Sequence, residues 1–360
     1  MESVQKKSKK IKDKKPLYIL AVFFVFFGVF IYLITRPSNQ SKAIKELETS
    51  FNKKDVEMVW YKYKSDLYQD EEFLFETRKK LSSLNLTEEE IIECRGWLPP
   101  APTSINLIII PDLSRRIVDS LNNPNQIDND LFVLETIWKS FVDYSKLKQN
   151  TNDKLIIDVT DIDQAKGQFG EVANKLQFDL SSHKGKSNRL FFTNEKDKQF
   201  ETSVKEMYKL AKEKPLGADY RFYMRRYLAN HLKKPTLFDN YINKVVLITD
   251  GYLEAENKPA DTKIYGFEKP LHQAVSIGNI LKVITANGLN IPKVAIDLSN
   301  SEVLVCEVNE RRAGKGYDFE ILKTYWEDWF KRMNVKKINF IQREQANELT
   351  AKRVTDFITK

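Results

Sequence analysis

The sequence predicts an α/β fold, a doubly wound and mostly parallel sheet preceded by a single transmembrane helix and a helical juxtamembrane segment. Three features of the 360-residue chain predict it: an uncharged apolar run near the N-terminus, charged helical sequence after it, and short apolar runs alternating with amphipathic segments after residue 104. Strands separated by helices are typical of βαβ units with right-handed crossovers and parallel pairing. The 42% apolar content supplies a real core and excludes a wholly disordered chain.

Residues 17–34 form the apolar run, LYILAVFFVFFGVFIYLI, which contains no charged residue. A helix of about 20 residues spans about 30 Å, the thickness of a hydrocarbon core. Seven lysines precede the run, and positive charge stays on the cytoplasmic side. We therefore expect a cytoplasmic tail over 1–15 and a membrane helix over 16–36. No small-x-small cleavage site follows, so the helix is predicted to be an uncleaved signal-anchor with the bulk of the chain extracytoplasmic.

Charge and composition exclude several classes of function. The formal charge is +8, but residues 1–15 hold an excess of five, leaving about +3 for the rest, so no nucleic-acid partner is predicted. Two cysteines, Cys94 and Cys306, are too few for a disulfide scaffold, and whether they pair is left open. The sequence contains no nucleophile elbow, P-loop or Gly-rich dinucleotide turn. We therefore expect no organic cofactor and no small-molecule substrate.

Residues 37–103 are predicted to form a helical stalk and a proline-rich linker. Thr87 and Glu90 have the spacing of a capping box at the start of a short helix. Pro99, Pro100 and Pro102 then end any helix. A second domain is therefore predicted over 104–360.

The second domain is predicted from runs that alternate between strand and helix. Strands are predicted at 105–110, 154–159, 189–193, 244–249, 293–296, 303–308 and 337–342. Helices are predicted at 128–148, 195–213, 219–233 and 319–333, with one more at the C-terminus. The segments 163–188 and 252–292 are predicted to be insertions or irregular crossovers.

Two short motifs follow buried strands, where doubly wound sheets bind their ligands. Asp112-Leu-Ser114-Arg-Arg116 follows the strand 105–110, and Thr249-Asp250-Gly251 follows the strand 244–249. Together with the strand order, these motifs resemble the von Willebrand factor A family over roughly residues 104–358. The metal-ion-dependent adhesion site of that family combines DxSxS, a mid-domain Thr and the Asp of a TDG-like turn. The resemblance implies a divalent cation, commonly magnesium, that takes an acidic group from a partner protein.

Some of the family's metal-ligand positions hold the expected residue in this chain, and others do not. Asp112, Ser114 and Asp250 match the family and are the candidate metal ligands, but Arg116 replaces the second serine and Ala218 the threonine. A guanidinium cannot ligate a metal, and its charge opposes one. We therefore expect magnesium binding to be weak or absent unless Asp219 or a water-mediated ligand completes the shell. The alternative is a metal-free domain in which Arg115 or Arg116 pairs with Asp112 or Asp250.

The function predicted from these features is a membrane-tethered, protein-binding module in an envelope or surface complex. The partners would be the membrane and other proteins, with contacts from Arg115, Arg116, Asp219, Gly251 and Tyr252. Two alternatives stay open. One is a membrane-anchored, metal-dependent hydrolase that uses Asp158-Val-Thr-Asp161-Ile-Asp163, and the other is a purely structural subunit. A further DxSxS pattern, Asp297-Leu-Ser299-Asn-Ser301, is interpreted as a turn.

Overall fold

The structure is a computed structural model that describes residue 27 and residues 38–148, 151–160, 164–216, 218–238, 240–253, 276–311, 317–343 and 346–360. The chain divides into two compact units, Met1–Pro99 and Pro100–Lys360, with the boundary inside the predicted proline-rich linker. The predicted tail and membrane helix lie outside the described residues, apart from Phe27. Among the described residues, no helix is long and apolar enough to cross a membrane.

The described part of the first unit consists of helices joined by short turns. Its helices are α1 (Asn39–Glu48), α2 (Lys53–Leu67), α3 (Glu71–Ser82) and α4 (Glu88–Trp97). Each begins at a side chain that accepts a backbone N–H, as an N-cap does: Ser38, Asn52, Asp70 and Thr87. The predicted capping box is present, because Glu90 also accepts the backbone N–H of Thr87.

Aromatic packing holds the first unit together. Trp60 of α2 stacks on Phe73 of α3 with ring centroids 5.7 Å apart. Both side chains are buried, as is Cys94 of α4. Cys306 lies in the second unit, and both thiols are free.

The second unit is built on a six-stranded sheet in the order β3-β2-β1-β4-β5-β6. Its strands are β1 (Thr103–Pro111), β2 (Lys154–Ile157), β3 (Gln177–Asp179), β4 (Asn240–Ile248), β5 (Ser301–Val308) and β6 (Lys337–Gln342). Every neighbouring pair is parallel except β2 with β3. The predicted α/β class with a mostly parallel sheet is confirmed, and the strand order is that of a doubly wound fold.

Helices cover both faces of this sheet, because the central strands are apolar on both sides. One face packs against α5 (Gln126–Leu147), α6 (Gln168–Lys175), α7 (Lys186–Glu213) and α12 (Asn347–Thr359). The other packs against α8 (Tyr220–Tyr223), a π turn (Met224–Leu228), α10 (Ile280–Ala286) and α11 (Asp318–Lys331). The short helix α9 (Ala229–His231) follows the π turn and buries no side chain of its own. Asn106 of β1 lies on this second face, where its amide donates to the His231 carbonyl and to Asn243 Oδ1, both at 2.8 Å.

Two predicted strands are wrong. Residues 189–193 lie in α7, and their burial explains why: Arg189, Phe192 and Thr193 are buried while Leu190 and Phe191 are exposed, which is a helical period. The third strand is instead the short antiparallel β3, inside the segment predicted to be an insertion.

Residues 293–296 form no strand and connect α10 to β5 as irregular chain. The apolar side chains there pack against α11 rather than pair in the sheet, and the Trp329 indole donates to the Pro292 carbonyl at 3.1 Å.

Candidate functional site

The two motifs meet at one edge of the sheet. Strands β1 and β4 are neighbours with Pro111 opposite Ile248, and the Asp112 N–H continues the pairing by donating to the Ile248 carbonyl at 2.8 Å. The loops that follow β1, β4 and β5 therefore converge. We call residues 112–125, 249–253 and 309–311 the crest.

Asp112 uses both carboxylate oxygens within the crest. Its Oδ1 accepts the Ser114 N–H at 3.0 Å, and its Oδ2 accepts the Thr249 hydroxyl at 2.9 Å. Ser114 caps the 3-10 turn Arg115–Ile117 by accepting the Arg116 N–H. These bonds join the two motifs through a buried carboxylate.

The Arg116 guanidinium fills the space between the ends of β1 and β4. The side chain is 1% exposed, and it donates from Nε to the Asp112 carbonyl and from Nη2 to the Ile248 carbonyl, both at 2.9 Å. Nε also lies 3.4 Å from Asp112 Oδ2. The arginine therefore pairs with Asp112, as the metal-free alternative expects.

Asp130 of α5 is the stronger partner of Arg116. Its Oδ2 accepts Nη2 at 2.7 Å and the Tyr208 hydroxyl at 2.8 Å, while its Oδ1 accepts the Gln126 amide at 2.6 Å. Burial raises the pKa of Asp130 to about 6 against the opposing charge of Arg116. Burial acts to lower the pKa of Arg116, but the charges of Asp130 and Asp112 outweigh it and raise that pKa. Arg116 therefore stays charged.

Asp250 is buried and faces a second arginine. Arg311 donates from Nε to Asp250 Oδ2 at 2.7 Å, and its guanidinium carbon lies 4.7 Å from the centre of the Tyr252 ring. Asn123 is 3.5 Å from the same oxygen. Burial raises the pKa of Asp250, and the charge of Arg311 opposes the rise. Gly251 has φ +95°, and a Cβ there would approach Val308 to 3.0 Å, so the turn requires glycine.

The side chains at the crest do not fit a divalent cation. The oxygens of Asp112 are already bonded, Arg116 fills the space beside them, and Arg311 is paired with Asp250. Asp219 caps α8 by accepting the Phe222 N–H at 2.9 Å, so that bond already engages its carboxylate. Within the described ranges no group of three acidic, histidine or cysteine side chains could hold a metal.

The Asp158 motif has a different role in the residues that the structure describes. Asp158 Oδ2 accepts the Tyr223 hydroxyl at 2.9 Å and lies 3.0 Å from His231 Nε2. Asp161 and Asp163 lie outside the described residues. The other pattern, at Asp297, is an exposed turn in which Oδ2 accepts the Ser299 hydroxyl at 2.8 Å.

Sequence reasoning missed two charged partners of the crest, Asp130 of α5 and Arg311. Asp130 interrupts the apolar stripe of α5, and a carboxylate on a buried face is a signal of a buried cation. Arg311 follows β5, at the same carboxyl edge as the two motifs, so the strand-end rule applied to that strand would have found it.

No family model matches this chain, and neither the curated proteins nor the solved structures contain a significant match to it.

Proposed function

We propose that this chain is a membrane-tethered, extracytoplasmic module similar to von Willebrand factor A domains, and that it binds another protein through its crest. The observation that carries the proposal is the convergence of the Asp112–Ser114 loop and the Thr249–Gly251 turn at the ends of two adjacent parallel strands. This edge is where doubly wound sheets bind ligands.

The crest carries charge and apolar surface that need no metal, although Arg116 and Tyr252, two of the predicted contact residues, are buried and offer a partner no direct contact. Arg116 places a permanent positive charge beside Asp112, where the family resemblance implies a cation. The loop after it exposes apolar side chains, with Leu121 88% exposed and Val118 44% exposed beside exposed Arg115. Apolar side chains ringed by polar ones are typical of protein-binding surfaces. Magnesium would therefore contribute little to capture of the partner.

The hydrolase alternative has less support, because Asp158 already contacts Tyr223 and His231 at one oxygen. The purely structural alternative places the binding contacts on the first unit and leaves the crest inert. Both alternatives predict that the crest contacts no partner protein, which makes cross-linking from the crest a direct test.

The test places a photo-reactive phenylalanine analogue at position 121 of the full chain in its native membrane. Leu147, which is 82% exposed at the far end of α5, provides the matched control position. We expect one discrete protein adduct from position 121, at equal yield with and without a chelator. No such adduct should form from position 147.

Absence of an adduct from position 121 would refute the crest as a binding surface. An adduct that disappears with the chelator would refute the metal-independent mode of binding. Equal adducts from both positions would show non-specific contact and would also refute the proposal.

A further inference from the structure

We infer that the segment 220–234, which precedes β4, carries a docking surface for an acidic segment of a partner protein. The surface, called the basic patch, consists of Arg221, Arg225, Arg226, Lys233 and Lys234. This inference rests on the proposed function, since it names the chemistry of the protein partner.

The π turn fixes which side of this segment faces solvent. Tyr223 and His231 are eight positions apart, yet both contact Asp158 Oδ2, at 2.9 and 3.0 Å. In an α-helix, residues seven apart share a face, and a π turn adds one residue. The turn Met224–Leu228 thus aligns Tyr223 with His231 against the sheet and leaves Arg225 and Arg226 exposed.

The charge of the basic patch is uncompensated. Between residues 220 and 234 the chain has five arginines and lysines and no acidic residue. None of the five forms an ion pair among the described residues, while the nearby Asp219 caps α8. Arg225 and Arg226 are adjacent exposed positive charges on the π turn, with no acidic residue in the segment to compensate them. Local conflicts of this kind are expected at functional sites.

Arg221 gives a second indication of an anionic ligand. Its Nε is buried and has no hydrogen-bond partner in the described part of the chain. A buried donor without a partner costs free energy, so a ligand carboxylate that drew this half-buried side chain outward and paired with it would relieve that cost.

The composition favours an acidic protein segment over other anions. Arg225 lies 5.8 Å from the centre of the half-buried Phe222 ring, and in sequence Arg221 adjoins Phe222 and Arg226 adjoins the half-buried Tyr227. Arginine and aromatic side chains are enriched at protein interfaces, and guanidinium groups bind carboxylates bidentately. A nucleic-acid surface would need a broadly basic domain, whereas residues 16–360 together carry about +3.

The test measures binding of a fluorescent poly-glutamate peptide to the full chain in detergent. The variant Arg225→Glu with Arg226→Glu reverses two exposed charges of the patch. The control variant Lys209→Glu with Lys212→Glu makes the same change of net charge on exposed positions of α7. We expect the patch variant to bind about tenfold more weakly and the control less than twofold, because distant exposed charges are screened at physiological salt.

Three further arms make the outcome decisive. Arg225→Lys with Arg226→Lys keeps the charge and should lose part of the affinity, because lysine cannot form the bidentate pair. Equal affinity of the unaltered chain and the patch variant for the peptide would overturn the inference. It would also be overturned if anionic vesicles or a single-stranded oligonucleotide bound the patch more tightly than the peptide. The position-121 adduct separates the two proposals, since it tests the crest and not the patch.

Discussion

Arg116 shows at the level of a single residue how this chain departs from the von Willebrand factor A pattern that its motifs led us to expect. The family pattern has a serine there, whereas Arg116 is buried between Asp112 and Asp130. The sequence identified the arginine as an obstacle to metal binding but could not identify Asp130 as its main partner. Such a pairing across 14 positions depends on how α5 packs on the sheet.

The buried ion pair between Arg116 and Asp130 predicts that Arg116→Ser is strongly destabilising. Restoring the family residues at positions 116 and 218 would therefore break this pair, and would not by itself create a metal site. Removing one member of a buried ion pair leaves the other uncompensated, at a cost of about 3–5 kcal/mol. Native-state hydrogen exchange of the β1 amides measures the loss. Arg115→Ser, at an exposed neighbouring position, should lower the free energy of unfolding much less than Arg116→Ser does. The double variant Arg116→Met with Asp130→Leu should lose less than the sum of the single changes, and full additivity would contradict the pairing.

Asp130 also predicts a pH dependence of stability. Its folded pKa of about 6 lies above the unfolded value of about 3.9. Between these values the folded state binds more protons, so the contribution of this carboxyl is fully present below pH 4 and is lost as the pH rises through 6. The loss amounts to about 3 kcal/mol.

Urea unfolding between pH 4 and 7 should show this decline in stability for the unaltered chain and not for Asp130→Asn. The control variant Asp143→Asn, on an exposed position of α5, should show the same decline as the unaltered chain. Parallel curves for the chain and Asp130→Asn would contradict the shift.

The central strands could be predicted from sequence because their apolar runs are continuous. The runs 105–110 and 303–308 correspond to the central strands β1 and β5 within about two residues. The run 337–342, which mixes apolar and polar residues, coincides with the edge strand β6. The edge strand β3 has three residues, too few for a periodicity. The strand predicted at residues 189–193 is wrong, because so short an apolar run does not distinguish a strand from one turn of a buried helix. The π turn has no sequence signature, so the alignment of Tyr223 with His231 emerges only in three dimensions.

The segment that carries the basic patch is held by a buried amide, which gives a test at the scale of one element. Asn243 of β4 accepts the Lys233 N–H at 2.8 Å and donates to the Lys233 carbonyl at 2.9 Å. Asn243→Ala leaves buried polar groups unpaired, at a cost of about 1–3 kcal/mol each. Amides of residues 228–234 should exchange faster while those of α5 keep their protection. Asn240→Ala, earlier on the same strand, is the control, and unchanged exchange in Asn243→Ala would contradict the anchoring role.

At the scale of the whole molecule, orientation remains a prediction from sequence. The lysines of residues 1–15 should hold the N-terminus in the cytoplasm. A reporter that is active only outside the cytoplasm should then work when fused after Lys360 and fail when fused before Pro16. Activity of the opposite fusion would put both units in the cytoplasm and remove the extracytoplasmic partner from consideration.

The central claim is that a buried arginine stands at the crest where a metal would be expected, so that binding needs no cation. Calorimetric titration of the full chain in detergent with magnesium chloride tests this most directly. The pairing of Arg116 with Asp112 and of Arg311 with Asp250 predicts no saturable heat. Tight magnesium binding that Asp112→Asn abolishes would contradict the account, because it would require Arg116 to leave its buried partners.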